Sequence, residues 1–130
     1  MTENRLKLNS NKTECIAFGT KIQLSKLTLD TLKFGADVIP LQPHVRDLGV
    51  MLDSELKMNK HVQKVSKACY MNICRIWFIR RYLTITATRT LVQALVTSHL
   101  DYCNSLLYGI NECLLNQLQL VQNAAARVVF

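Results

Sequence analysis

Glycine and proline are scarce in this sequence, four and two among 130 residues. That excludes a collagen-like repeat, a linker and a loop-dominated scaffold. No uninterrupted apolar run reaches the roughly 18 residues that a bilayer span needs. The opening residues, Met1-Thr2-Glu3-Asn4-Arg5, hold no apolar stretch of a secretory leader. An intracellular location, cytoplasmic or nuclear, is therefore expected. The five cysteines, Cys15, Cys69, Cys74, Cys103 and Cys113, are odd in number and include no C-x-x-C pair. A complete disulfide set is impossible. Cys69, Cys74, His99 and Cys103 are the best metal constellation, but Cys69 and Cys74 lie about 140° apart on a helix and converge poorly. Reduced thiols used as small apolar residues are expected, with no metal and no cofactor in this chain.

Catalytic motifs are missing too. The glycines at 19, 35, 49 and 109 lie too far apart for a phosphate-cradling loop, and no G-K-[ST], G-x-S-x-G or H-E-x-x-H occurs. His44, His61 and His99 fall in three different expected elements. No two acids are adjacent; Asp53 and Glu55 are the closest pair that ends a strand-like run. They read as first-turn acids of the following helix rather than a metal site.

What is present is positive charge, unevenly placed. The chain carries 16 Lys and Arg against 9 Asp and Glu, a net charge of +7. From Lys57 to Leu100 there is no acid, while Lys57, Lys60, Lys64, Lys67, Arg75, Arg80, Arg81 and Arg89 supply eight cations. A polyanionic partner is implied, nucleic acid before an anionic membrane surface. On a helix from about Lys57 to Arg81, Lys57, Lys60, Lys64, Lys67 and Arg75 share an arc of about 80°. Val62, Val65, Cys69, Ile73 and Ile76 occupy a similar arc roughly opposite. One face can pack while the other tracks phosphates over roughly 27 Å. A solvated face is the rival reading, but such faces normally intersperse acids for i, i+4 pairing.

The fold reads as α+β in two halves, residues 1–55 and 57–130. In the first, Leu6 to Asn11 suggests a short helix end and turn. Cys15-Ile-Ala-Phe18 suggests a buried strand, and Leu27 to Phe34 alternates as a half-buried one. Pro40 and Pro43 punctuate a link before the β-rich run Val45 to Asp53, in which Gly49 marks a bulge or a close backbone approach. In the second half, Thr84 is the expected N-cap of a helix with Ile85, Leu91, Val92, Leu95 and Val96 on one face. Leu100 to Tyr108 continues or restarts it, and Gly109 stops it. The last helix sets Leu114, Leu118, Val121, Ala125 and Val128 in a heptad-like seam. That seam packs inside a three-helix bundle or, alternatively, supports weak self-association.

Five motifs follow one another in order: Leu8-Asn-Ser-Asn-Lys-Thr-Glu14, Val45 to Asp53, Arg80-Arg-Tyr-Leu83, Leu100 to Gly109, and Leu118 to Arg127. In that spacing the chain resembles the C-terminal part of the reverse transcriptase of non-LTR (LINE-type, jockey-like) retrotransposons. The resemblance implies the end of a polymerase palm in 1–55, with a hairpin, and a helical thumb in 57–130. It implies Lys12 as an accessory lysine near the incoming nucleotide, and Leu48-Gly49-Val50 as the turn that grips the primer. The basic stripe would then hold the backbone of an RNA–DNA or DNA duplex without reading sequence. Its other partner would be the upstream palm and fingers of the parent polymerase, with no membrane involved. The family's Mg2+-binding aspartates, including an aromatic-x-Asp-Asp motif, would precede the lysine turn and have no counterpart here. The chain alone is thus expected to be a fragment without polymerase activity. Three departures stand out: His99 replaces a usual arginine, Asn111 replaces a proline that usually opens the last helix, and Trp77-Phe78 interrupts a usually polar stretch.

Overall fold

The computed structural model describes residues 7, 9–102 and 104–130. The chain is α+β: two small antiparallel hairpins precede the main helices. It divides into two units, residues 1–56 and Lys57–Phe130.

In the first unit, Asn9 opens a 3₁₀ turn, Ser10–Lys12, by accepting the Asn11 N–H at 3.1 Å. Leu6 and Leu8 of the segment expected as a helix end lie outside the described residues, and Lys7 is exposed and in no helix. Cys15-Ile-Ala-Phe18 is not a strand. Only Cys15 forms a bridge, to Leu41, and Phe18 is exposed. This stretch acts as a tie instead. Gln42 donates to the Cys15 carbonyl at 2.8 Å, and Gly19 donates to the Ser54 carbonyl at 3.1 Å. Helix α1, Lys21–Ser25, follows, closed by a capping box in which Thr20 and Gln23 each accept from the other's backbone N–H.

Strand β1 covers only Thr31–Phe34 and pairs with β2, Asp37–Pro40. The Pro40 segment, expected to be a link, is therefore a strand. Proline is tolerated there because it ends the ladder, where no N–H is required of it. The whole of β1 is exposed rather than half-buried. Alternation signalled which residues share a face, not whether anything covers that face. The run Val45 to Asp53 is a hairpin of β3, His44–Asp47, and β4, Val50–Asp53. Gly49 sits in its two-residue turn, not in a bulge.

The second unit is built of helices. Helix α2 is Asn59–Ile79, two residues shorter at its start than expected. Leu56 and Met58 both adopt positive φ, 54° and 62°, so the helix cannot begin at Lys57. Asp53 and Glu55 consequently lie outside its first turn, which holds no acid. A 3₁₀ turn, Arg80–Tyr82, leads to α3, Ile85–Val92, capped by Thr84, whose Oγ1 accepts the Ala87 N–H at 3.2 Å. Helical backbone continues through a π-helical stretch, Gln93–Thr97, into α4, Ser98–Asp101. After a 3₁₀ turn, Asn104–Leu107, Gly109 takes φ +74° and ends this arm. Helix α5 is Glu112–Val129. Asn111 accepts the Cys113 N–H at 3.1 Å and so gives the helix a defined start without the proline expected there.

The core of this unit joins Cys69, Ile73 and Ile76 of α2, Val92, Val96 and Leu100 of the middle arm, and Val121, Ala125, Val128 and Val129 of α5. The heptad seam is thus used inside the bundle and is not a free coiled-coil face. The buried stripe of the middle arm is Thr88, Val92, Val96 and Leu100. Ile85 and Leu95, expected on it, are partly exposed. Each i+4 step on a straight helix drifts by about 40°. The wider i→i+5 turn of the π stretch takes up part of that drift and keeps Val96 and Leu100 inward. Two carbonyls of that stretch are met by α2. Asn72 Nδ2 donates to the Leu95 oxygen at 3.0 Å and Cys69 Sγ to the Val96 oxygen at 3.8 Å.

Candidate nucleic-acid interface

Helix α2 buries one face and sets its cations on the other, with Val65 of the apolar arc only half-buried. Val62, Cys69, Ile73 and Ile76 are buried, while Lys60, Lys64, Lys67 and Arg75 are exposed. None of these four cations makes a hydrogen bond or ion pair with another described residue. They form a single row over about 22 Å of helix axis. Acids are absent from all of α2, α3, and the π stretch. The helical unit holds nine cations and two acids, and residues 1–56 hold seven of each. The whole net charge therefore resides in the helical unit.

The other expected cations are placed differently. Lys57 is exposed but precedes the helix. Arg80 is only half exposed and turned to structural use. Its Nε donates to the Val128 oxygen at 3.0 Å, Nη2 to Val129 at 3.1 Å, and Nη1 to Leu83 at 3.2 Å. It thus closes the C-terminal carbonyls of α5, which have no partners within the helix. Arg81 is exposed, with its guanidinium 4.8 Å from the centre of the Tyr82 ring. Arg89 is exposed on α3, away from the row's own helix.

His61 is buried in the first turns of α2. Desolvation, and secondarily the Lys64 charge, hold its pKa below the ordinary 6.5. Unfolding therefore exposes a group that takes up a proton more readily. This contribution to stability is present in full above pH 6.5 and is lost as the pH falls towards the folded-state value. Urea midpoints followed between pH 8 and pH 5 should decline below about pH 6.5, and His61→Gln should flatten that decline. An unchanged pH profile in the variant would exclude His61 as its source.

The remaining sites are smaller. Lys12 is exposed at the end of its 3₁₀ turn, on a different unit from the lysine row. At the β3–β4 tip, Leu48 and Gly49 take φ 46° and 86°, the left-handed pair that a two-residue hairpin turn requires. Leucine carries steric strain there, yet its side chain is 83% exposed. Val50, expected with them as a contact, is buried and anchors the hairpin. Cys69 is buried, and burial pushes its thiol pKa up; Cys74 is exposed on another face. Cys103 lies outside the described residues. Among the described residues no three His, Cys, Asp or Glu side chains come together as metal ligands.

Sequence reading passed over Trp77, Phe78 and Arg127 as functional residues. Trp77 and Phe78 are exposed, and together with Arg127 they line one cavity at the end of the bundle. The signal was available: two large aromatics on the outer side of an amphipathic helix have no packing reason to be there. Among the described residues no helix is long and apolar enough to cross a membrane. The chain matches no protein-family model, no curated protein and no solved structure.

Proposed function

We propose that the chain is the palm end and thumb of the RNA-directed DNA polymerase of a non-LTR retrotransposon, and that it holds a template–primer duplex by its sugar–phosphate backbone. The observation that carries this reading is the row Lys60, Lys64, Lys67 and Arg75, exposed along one face of α2 without any acid on that helix. A rod anchored by one face and cationic on the other suits a polyanion of regular charge spacing. Its lysines contact phosphates and so position a duplex without reading bases. The order of the five sequence motifs supports the polymerase origin. The β3–β4 tip, with Leu48 and Gly49 outward, is the part of the first unit best shaped to approach a strand.

Two measurements test this. Binding of the full chain to a template–primer should weaken with salt at a log–log slope of about −3 to −4, as neutralising about four phosphates requires. A slope near zero would overturn backbone binding. Primer extension with Mg2+ should give no incorporation above background, because this sequence holds no aromatic-x-Asp-Asp motif. Incorporation would show that carboxylates here suffice and would overturn the fragment reading.

A further inference from the structure

We infer that the C-terminal end of α2 is a stacking platform for unpaired nucleobases, so that the chain holds a single-stranded stretch where its lysine row ends. This rests on the backbone-binding reading above and extends it to the bases.

The row does not stop at Arg75. Counting along α2 by steps of three or four residues, Lys60, Lys64, Lys67, Met71, Arg75 and Phe78 form one ridge. All six are exposed. Cations thus pass into an aromatic ring on the same face, with steps of about 4.5–6 Å along the axis. Trp77 stands beside Phe78, and the two are 63% and 76% exposed. Two cavities meet at this pair. One, of about 460 Å³, is bounded by Trp77, Phe78, Arg80 and Arg81. The other, of about 510 Å³, includes the same two rings and Arg127. Both fall within the range of sites that take small planar ligands. Each offers π faces beside a guanidinium, and the Arg81–Tyr82 stack shows that pairing at the same end.

Charge complementarity selects the occupant. No acid lies on α2 or α3, and the one acid of α5, Glu112, is at the opposite end of that helix. The occupant must bring negative charge at regular intervals and flat apolar faces between the charges. An unpaired nucleic-acid strand does both: phosphates meet Arg81 and Arg127 and bases stack on the indole and phenyl rings, whatever their sequence. In a duplex those faces are already stacked on neighbouring bases and do not reach the rings.

Trp77 is the only tryptophan, so its fluorescence reports this site directly. The full chain is titrated with a thymidine oligonucleotide of about 15 nucleotides and with an abasic strand of the same length. The thymidine strand should bind about tenfold more tightly or better and quench Trp77. The abasic strand should bind more weakly and leave the emission unchanged. Trp77→Leu with Phe78→Leu keeps apolar bulk but removes the π faces, and should lower thymidine affinity to the abasic level. Trp77→Phe should retain most of it. Equal affinity for the two strands without quenching would overturn the platform while leaving backbone binding intact. Failure of both strands and of duplex to bind would overturn backbone binding and the platform with it. Quenching by an acidic amphipathic peptide but not by thymidine would assign the face to a protein and overturn the proposal. Should the double leucine variant fail to fold, the two-strand comparison on the unaltered chain still decides.

Discussion

Glutamine at Lys60, Lys64 and Lys67 together is expected to lower nucleic-acid affinity about 100- to 500-fold at 0.1 M salt. Each phosphate neutralised releases about 0.7 to 0.9 of a counterion, which at this salt concentration is worth roughly a five- to eightfold change in affinity. Removing all three lysines multiplies that factor into the expected range. The log–log salt slope should shrink from about −3 or −4 to about −1, leaving Arg75 as the row's remaining cation. Folding should be unaffected, because the three side chains are exposed and make no hydrogen bond or ion pair with another described residue. Stability should rise slightly, since like charges at i, i+4 repel. Lys64→Gln alone carries a second signature: it removes a charge that helps depress the His61 pKa, so the loss of stability below about pH 6.5 should become smaller. Affinity and slope are read by titration at several salt concentrations. A triple variant that binds as tightly as the unaltered chain would remove α2 from the interface.

Arg80→Met is expected to destabilise the helical unit by about 2–3 kcal/mol while leaving the lysine row in place. Hydrogen bonds from a charged donor contribute roughly 1.5–3 kcal/mol, with much of the cost falling on acceptors left unmet. Here one guanidinium reaches three carbonyls, on Val128, Val129 and Leu83. It joins the end of α5 to the turn between α2 and α3. Its positive charge also faces the negative end of the α5 dipole. For a unit of this size the loss should lower the melting temperature by roughly 10 °C or more. Trp77 fluorescence serves as the probe, since the sole tryptophan lies in this unit. Arg80→Lys should recover only part of the stability, because an ammonium cannot present the fork that spans adjacent carbonyls. Folded Arg80→Lys protein should bind nucleic acid nearly as the unaltered chain does. A large loss of binding with unchanged stability would return Arg80 to the interface.

Arg80 illustrates why sequence reading grades cations unevenly. In the sequence it is one of eight in an acid-free stretch, with the same charge as its neighbour Arg81. Its role depends on carbonyls 48 and 49 residues away, and no local pattern encodes that distance. The lysine row was legible for the opposite reason. Helical period alone decides which of residues 60 to 76 share a face, and the acid-free composition decides that the cations have no local partners. Thr84 was legible as a cap because capping is local chemistry. The start of α2 was not, since it depends on two residues in positive φ rather than on periodicity.

The sequence by itself determined the α+β class, the placement of all net charge in the helical half, and the opposition of a cationic and an apolar face on α2. These follow from composition and from fixed residue periods, which act over a few residues at a time. Only the tertiary structure decided that the α5 seam packs within the bundle and that a π turn redirects the middle arm. It also committed Arg80 to the end of α5 and gathered Trp77, Phe78 and Arg127 around one cavity. Those outcomes depend on which distant surfaces meet, and packing chooses among pairings that local patterns leave equally open.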